Sequence, residues 1–168
     1  SWGVSTRLVG ALIMVHGDDK GLRLPPKIAP VQVVIIPIIK NKDSLAEIRN
    51  FLQPLIVGFE NNGVRYHFDD RVKVSPGFKF NEWEMKGVPI RIEVGPRDME
   101  AGSVFVVRRD NGEKKSMDVT LADNSMAELL DKIQLNMFQQ AQNFQEENTY
   151  TVESYDEFKS ILENGGFI

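Results

Sequence analysis

Ser75-Pro76-Gly77-Phe78-Lys79-Phe80-Asn81-Glu82-Trp83-Glu84-Met85-Lys86-Gly87-Val88-Pro89-Ile90-Arg91 is the stretch from which both the fold and its use can be read. Ser75 offers a side-chain oxygen to the free amides of a helix start, and Pro76 carries the backbone angle of a first helical position. Gly87 closes the helix. Ile90, Ile92 and Val94 then alternate with Arg91 and Glu93, the pattern of a strand. The stretch therefore predicts a short helix from Pro76 through Lys86 turning at once into a strand. Phe80 and Glu84 lie four residues apart, on one helix face, and Arg91 comes early in the strand, close to the helix end. An aromatic ring, a carboxylate and a guanidinium at one corner suit unpaired RNA bases. The ring stacks, arginine pairs with the O6/N7 edge of guanine, and a carboxylate accepts from guanine N1 and N2. The same residue types also fit a plainer reading, a helix packed by Phe78 and Trp83 with a solvated Glu84–Arg91 ion pair.

Working outward, Val31 to Ile36 is a nearly continuous β-branched run, as in a strand buried on both faces. Leu45, Ile48, Leu52, Leu55, Ile56 and Phe59 recur at helical spacing up to Asn61-Asn62-Gly63. Val64, Tyr66 and Phe68 alternate as another strand. Asp110-Asn111-Gly112-Glu113 marks a hairpin between 103–109 and 114–119. A long helix follows, with Met126, Leu129, Leu130, Ile133, Met137 and Phe144 on one face, and a shorter one covers about Ser154 to Asn164. The fold class is α/β, a mixed five-stranded sheet flanked by three or four helices. It is preceded by strand-like Ser1–Ser5 and an apolar helix over Leu8–Val15. That helix is apolar all round and needs a larger body to bury it, so the chain reads as cut from a longer protein. Turn-rich, Pro-punctuated 17–30 reads as a linker between 1–16 and the 31–120 core, with 121–168 completing or extending the core by helices.

Composition narrows the function classes. The chain has 168 residues, no cysteine, two histidines and a net charge of −4. Disulfides, thiol catalysis and cysteine zinc sites are excluded, which fits a reducing cytoplasm, and no metal site is expected. The apolar runs are too short to span a bilayer, so a membrane is not an expected partner. Charge is unevenly spread: residues 71–115 carry 10 basic and 7 acidic groups, and residues 116–168 carry 2 and 10. A locally basic face on an acidic protein suits selective reading of one RNA region and argues against sequence-blind binding of polyanions, DNA included. No Gly-rich phosphate loop follows any strand, which leaves a flavodoxin-like small-molecule enzyme without its binding device.

The 75–91 stretch, with Glu93, Gly95, Pro96, Arg97 and Asp98 after it, resembles the anticodon-reading segment of the prolyl-tRNA synthetase family, and those last five residues read as shaping the strand end and a turn. The resemblance implies that Phe80 stacks on an anticodon base and that Glu84 and Arg91 contact the two guanines shared by every proline anticodon. It implies a hairpin lysine beside them, and both Lys114 and Lys115 qualify. Ser1-Trp2-Gly3-Val4-Ser5-Thr6-Arg7-Leu8-Val9-Gly10 is similar to the third signature motif of class II synthetases in its prolyl form. By that resemblance Arg7 lies against the ATP phosphates, and Trp2, Gly3 and Ser5 belong to the substrate and ATP pocket. ATP and Mg would serve the parent enzyme rather than this piece. The other two class II motifs would lie upstream, so this chain alone is not expected to aminoacylate. Implied partners are proline tRNA and the parent catalytic domain, in a homodimeric, cytoplasmic ligase of the archaeal/eukaryotic-like type. The anticodon domain of a threonyl, histidyl or glycyl enzyme, or a free-standing relative, remains the alternative. Trp83-Glu84 and Val88-Pro89-Ile90-Arg91 favour the prolyl form.

Overall fold

The computed structural model describes residues 3–39, 43–120 and 122–168. The chain forms two compact units, residues 1–134 and 135–168. In the first, a five-stranded sheet has the order β2-β1-β3-β4-β5. Its strands are β1 (Val33–Pro37), β2 (Tyr66–Phe68), β3 (Ile90–Val94), β4 (Ser103–Arg108) and β5 (Lys114–Asp118). β1 pairs in parallel with both β2 and β3, while β3–β4 and β4–β5 are antiparallel. The mixed sheet is thus the one expected. The β1 side chains are all buried, as its unbroken apolar run requires.

Register decides which side chains share a face. Val34 pairs with His67 and Arg91, Arg91 with Val107, and Val107 with Lys114. These five form one row across the sheet on the side covered by α4 (Pro76–Met85). Phe80 and Trp83 of that helix pack against buried Val34, Ile36 and Val88. The next row over, Phe68, Ile35, Ile92, Val106 and Lys115, faces the other way.

Ser75 caps α4, its Oγ accepting from the Phe78 amide. Gly87 ends it at φ +74 and packs against Leu22, where a Cβ would come within 2.7 Å of Leu22 C and Cβ. Gly87→Ala is therefore expected to cost more than the roughly 1–2 kcal/mol of a left-handed non-glycine residue, measured as a drop in Tm. An unchanged Tm would show that the Leu22 strap yields freely.

The structure departs from the sequence reading in three places. The helix expected to run unbroken to Phe59 is two helices, α2 (Asp43–Phe51) and α3 (Gln53–Asn61). Pro54 has no amide proton for the preceding turn, and the chain restarts there with proline in its first turn. A short α5 (Pro96–Glu100) stands where a plain turn was expected, and the Asp98 carboxylate accepts from the Gly95 amide at 2.8 Å. Residues 3–5 are not a strand; helix α1 spans Arg7–His16, and Ser1 and Trp2 lie outside the described residues.

No residue of α1 is buried, and Leu8, Val9, Ile13, Met14 and Val15 are exposed large apolar groups. Segment 17–24 is strapped along α4: the Leu22 amide donates to Met85 O and the Leu24 amide to Gly87 O. The long helix α6 (Ala122–Glu147) starts in the first unit, where Met126, Leu130 and Ile133 are buried. In the second unit, α7 (Tyr155–Asn164) is capped by Ser154, and Thr149 bridges to Phe167. No described helix is long and apolar enough to cross a membrane.

Candidate nucleic-acid interface

The corner between α4 and β3 brings Phe80, Glu84 and Arg91 together. The Arg91 guanidinium carbon sits 4.6 Å from the Phe80 ring centroid, a cation–π contact. Its Nε donates to Glu93 Oε1 at 2.9 Å, and its Nη1 lies 3.9 Å from Glu84 Oε2. The Arg91 side chain is 14% exposed and that of Glu84 26%, so both are braced by protein yet reachable by a ligand. The Glu84–Arg91 pair of the plainer reading thus exists, at a distance long enough to open for a base edge.

Phe78 and Phe80 take roles different from that reading. Phe80 is the ring packed against the sheet, with Arg91 on one face. Phe78 is 60% exposed instead of packed. Residues two apart on a helix point to very different sides, so only one of the two rings can pack against the sheet here.

Lys114 and Lys115 separate cleanly. Lys114 lines the cleft holding Glu84, Arg91 and Arg109, an open space of about 370 Å³. Lys115 lines a different one with Glu128 and Lys132 of α6, on the opposite sheet face. Of the two hairpin lysines left open by the sequence, geometry puts Lys114 beside Glu84 and Arg91.

Arg109 is a member of the site that sequence reasoning missed. Its side chain, 7% exposed, grips Asp18 with both nitrogens, at 2.7 and 2.6 Å, and its Nε donates to the Glu84 carbonyl at 3.0 Å. Arg23 adds a second tie, from Nε to His16 O at 3.0 Å and from Nη1 to Asp110 O at 3.3 Å. The 17–24 segment, the end of α4 and the hairpin turn are thereby fixed to one another, which holds Glu84 in place. Only the run of basic residues before Asn111-Gly112 hinted at this; its partner in the 17–24 loop gave no signal.

The Arg109 hydrogen bonds hold the Asp18 carboxyl at about 2, against 3.8 ordinarily. Such a depressed group stabilises the fold above its unfolded pKa and loses that contribution as pH falls from about 4 towards 2. Asp18 is 36% exposed, so solvent screening leaves about 1 kcal/mol or less. Asp18→Asn is expected to flatten this part of the acid limb in a Tm-against-pH series. An unaltered limb would mean that the Arg109 grip adds nothing to stability.

Beneath the corner lies a buried ionic knot. Asp69, with a fully buried side chain, accepts from Arg71 Nε at 2.9 Å and Nη2 at 2.6 Å and from Trp83 Nε1 at 2.8 Å. Lys79 Nζ, also buried, donates to the Asp69 carbonyl at 2.9 Å and lies 3.3 Å from its Oδ1. Lys79 and Trp83 both belong to α4, so the knot anchors that helix to the end of β2.

Of the remaining expected site residues, the described ones are Gly3, Ser5 and Arg7. Arg7 is the exposed first residue of α1, Gly3 is exposed with open space where a Cβ would stand, and the Ser5 carbonyl accepts from the Leu8 amide at 3.1 Å. Trp2 lies outside the described residues. Among the described residues no group of three or more His, Cys, Asp or Glu is placed to hold a metal ion.

The sheet, parallel at its centre with an antiparallel hairpin at its edge, carries the helix–strand corner of ring, carboxylate and guanidinium. The family model described as "Anticodon binding domain" matches residues 32–134, more than half of the chain, and the chain belongs to that family. The match ends at the last residue of the first compact unit. The chain is similar to proline–tRNA ligases. It is 48% identical over its full length to that of Porphyromonas gingivalis, covering 34% of that protein. It is 51% identical over 97% of its length to that of Natranaerobius thermophilus, covering 33%. The crystal structure of prolyl-tRNA synthetase from Cryptosporidium parvum complexed with L-proline and AMP matches with a TM-score of 0.88 at 42% identity, over 96% of this chain and 35% of that one. The chain thus spans about a third of the length of these relatives.

Proposed function

We propose that this chain reads the two guanines of the proline tRNA anticodon within a proline–tRNA ligase, the ATP-dependent enzyme that joins proline to its tRNA. The observation that carries the reading is the Phe80–Glu84–Arg91 corner, where a fixed carboxylate and a fixed guanidinium stand 3.9 Å apart at the mouth of an open cleft. The carboxylate accepts from guanine N1 and N2 and the guanidinium donates to guanine O6 and N7, so that together they suit two guanines. Phe80 orients the guanidinium over its ring face, and what stays exposed of the ring stacks on an anticodon base. Lys114 supplies a positive charge on the same side of the sheet. Identity of 42–51% to proline–tRNA ligases and to a solved prolyl-tRNA synthetase favours proline tRNA over the threonyl, histidyl and glycyl alternatives.

In this reading Arg7, with Trp2, Gly3 and Ser5, serves the ATP and proline site of the whole ligase, where Arg7 would meet the ATP phosphates as an always-charged donor. Residues 1–16 close the catalytic domain, 17–30 link it to the 31–120 reading core, and 121–168 complete or extend that core. The rest of the ligase supplies aminoacylation, its Mg and the contacts of a homodimer, in the cytoplasm.

The two hairpin lysines test the assigned face. Lys114→Ala is expected to weaken binding of a proline anticodon stem-loop and lower its salt slope by about one phosphate contact. Lys115→Ala should leave both unchanged. A larger loss at Lys115 would put the RNA on the wrong side of the sheet and overturn the assignment.

A further inference from the structure

An apolar surface lies beside the Phe80–Glu84–Arg91 corner. Phe78 is 60% exposed and Met85 59%, and they stand seven residues apart on one face of α4, with Asn81 and Glu82 between them. Together with Lys20 and Glu84 they line a shallow concavity. Glu84 and Lys20 also line the cleft around Arg91, so the two surfaces are continuous. The core and the Arg91 guanidinium cover much of the Phe80 ring, so Phe78 is the more open of the two. No ring or cation covers Phe78 among the described residues.

Resting on the anticodon reading above, we propose that Phe78 stacks on an unpaired nucleotide of the tRNA loop next to the guanine pair. Lys20, 70% exposed and 3.4 Å from Glu84, lies where that nucleotide's phosphate would approach. The Asn81 amide, able both to donate and to accept, faces the same concavity. Stacking on a ring tolerates any base, so this site adds affinity without adding sequence choice. That division matches the neighbouring groups: hydrogen-bonding charges at the guanine corner, an apolar ring and a thioether here.

The test is fluorescence-anisotropy titration of the 168-residue chain with a labelled anticodon stem-loop, with intact or abasic nucleotides flanking the guanines. Phe78→Ala is expected to weaken binding about tenfold, within the range of one base–aromatic stack. The guanine-over-adenine preference should be unchanged, and Phe78→Tyr should restore affinity. On the loop made abasic at the stacked position, wild type and Phe78→Ala should bind alike. Because Phe78 is exposed, Tm should not move. Equal binding of wild type and Phe78→Ala to the intact loop, with the guanine preference lost in Glu84→Ala, would overturn the stacking site and leave the anticodon reading standing. A wild-type chain without guanine preference would overturn the anticodon reading itself, and the proposal with it.

Discussion

Lys79→Met is expected to destabilise the fold by about 3–5 kcal/mol, the usual cost of removing one member of a buried ion pair. Lys79 and Asp69 side chains are 2% and 0% exposed, so water cannot take over the contacts that are lost. The Asp69 backbone carbonyl loses its donor, and its carboxylate keeps only Arg71 and Trp83. Burial by itself would raise the Asp69 carboxyl. The hydrogen bonds from Arg71 and then Trp83, with the charge of Lys79, outweigh it and hold the group well below the usual carboxylate range. A group depressed in this way stabilises the folded chain at neutral pH and loses that contribution as pH falls below the unfolded value near 4. Urea unfolding at pH 7 and pH 3 checks both statements: wild type should be weaker at pH 3. A loss below about 1 kcal/mol in Lys79→Met would show that the knot is not what anchors α4.

Arg91→Ala is expected to cost about 1–3 kcal/mol in binding the guanine loop and to relax guanine discrimination there. Two effects contribute. In the proposed reading the bidentate donor to guanine is removed, and Phe80 loses the guanidinium that lies over its ring. Arg91→Lys separates them, since lysine keeps the charge but not the planar fork. It should retain much of the affinity while losing preference for guanine. Lys132→Ala, on the opposite sheet face, is the control and should change neither. Equal losses from Arg91→Ala and Lys132→Ala would mean that charge, and not the corner, governs binding.

The sequence made legible those features whose causes are local. Ser75-Pro76 and Gly87 bounded α4, the Ile90/Ile92/Val94 alternation placed β3, and Asn111-Gly112 located the hairpin. The Pro54 restart and the Gly95-Pro96/Asp98 cap are also local, but apolar periodicity masks the first and the second has the residues of a plain turn. The roles of Phe78 and Phe80 were not legible, because spacing shows that they diverge without showing which one meets the sheet. Lys114 and Lys115 posed the same problem, and only strand register resolved their faces. The Asp18–Arg109 grip and the Asp69–Lys79–Trp83 knot join residues from separate elements, so nothing in their own neighbourhoods announces them.

The measurement closest to the central claim is titration of this chain with a proline anticodon stem-loop and with one whose two anticodon guanines are replaced by adenines. Tighter binding of the guanine loop, with the preference abolished in Glu84→Ala and Arg91→Ala, is the predicted result. Equal binding of the two loops by the wild-type chain would contradict guanine reading by this corner.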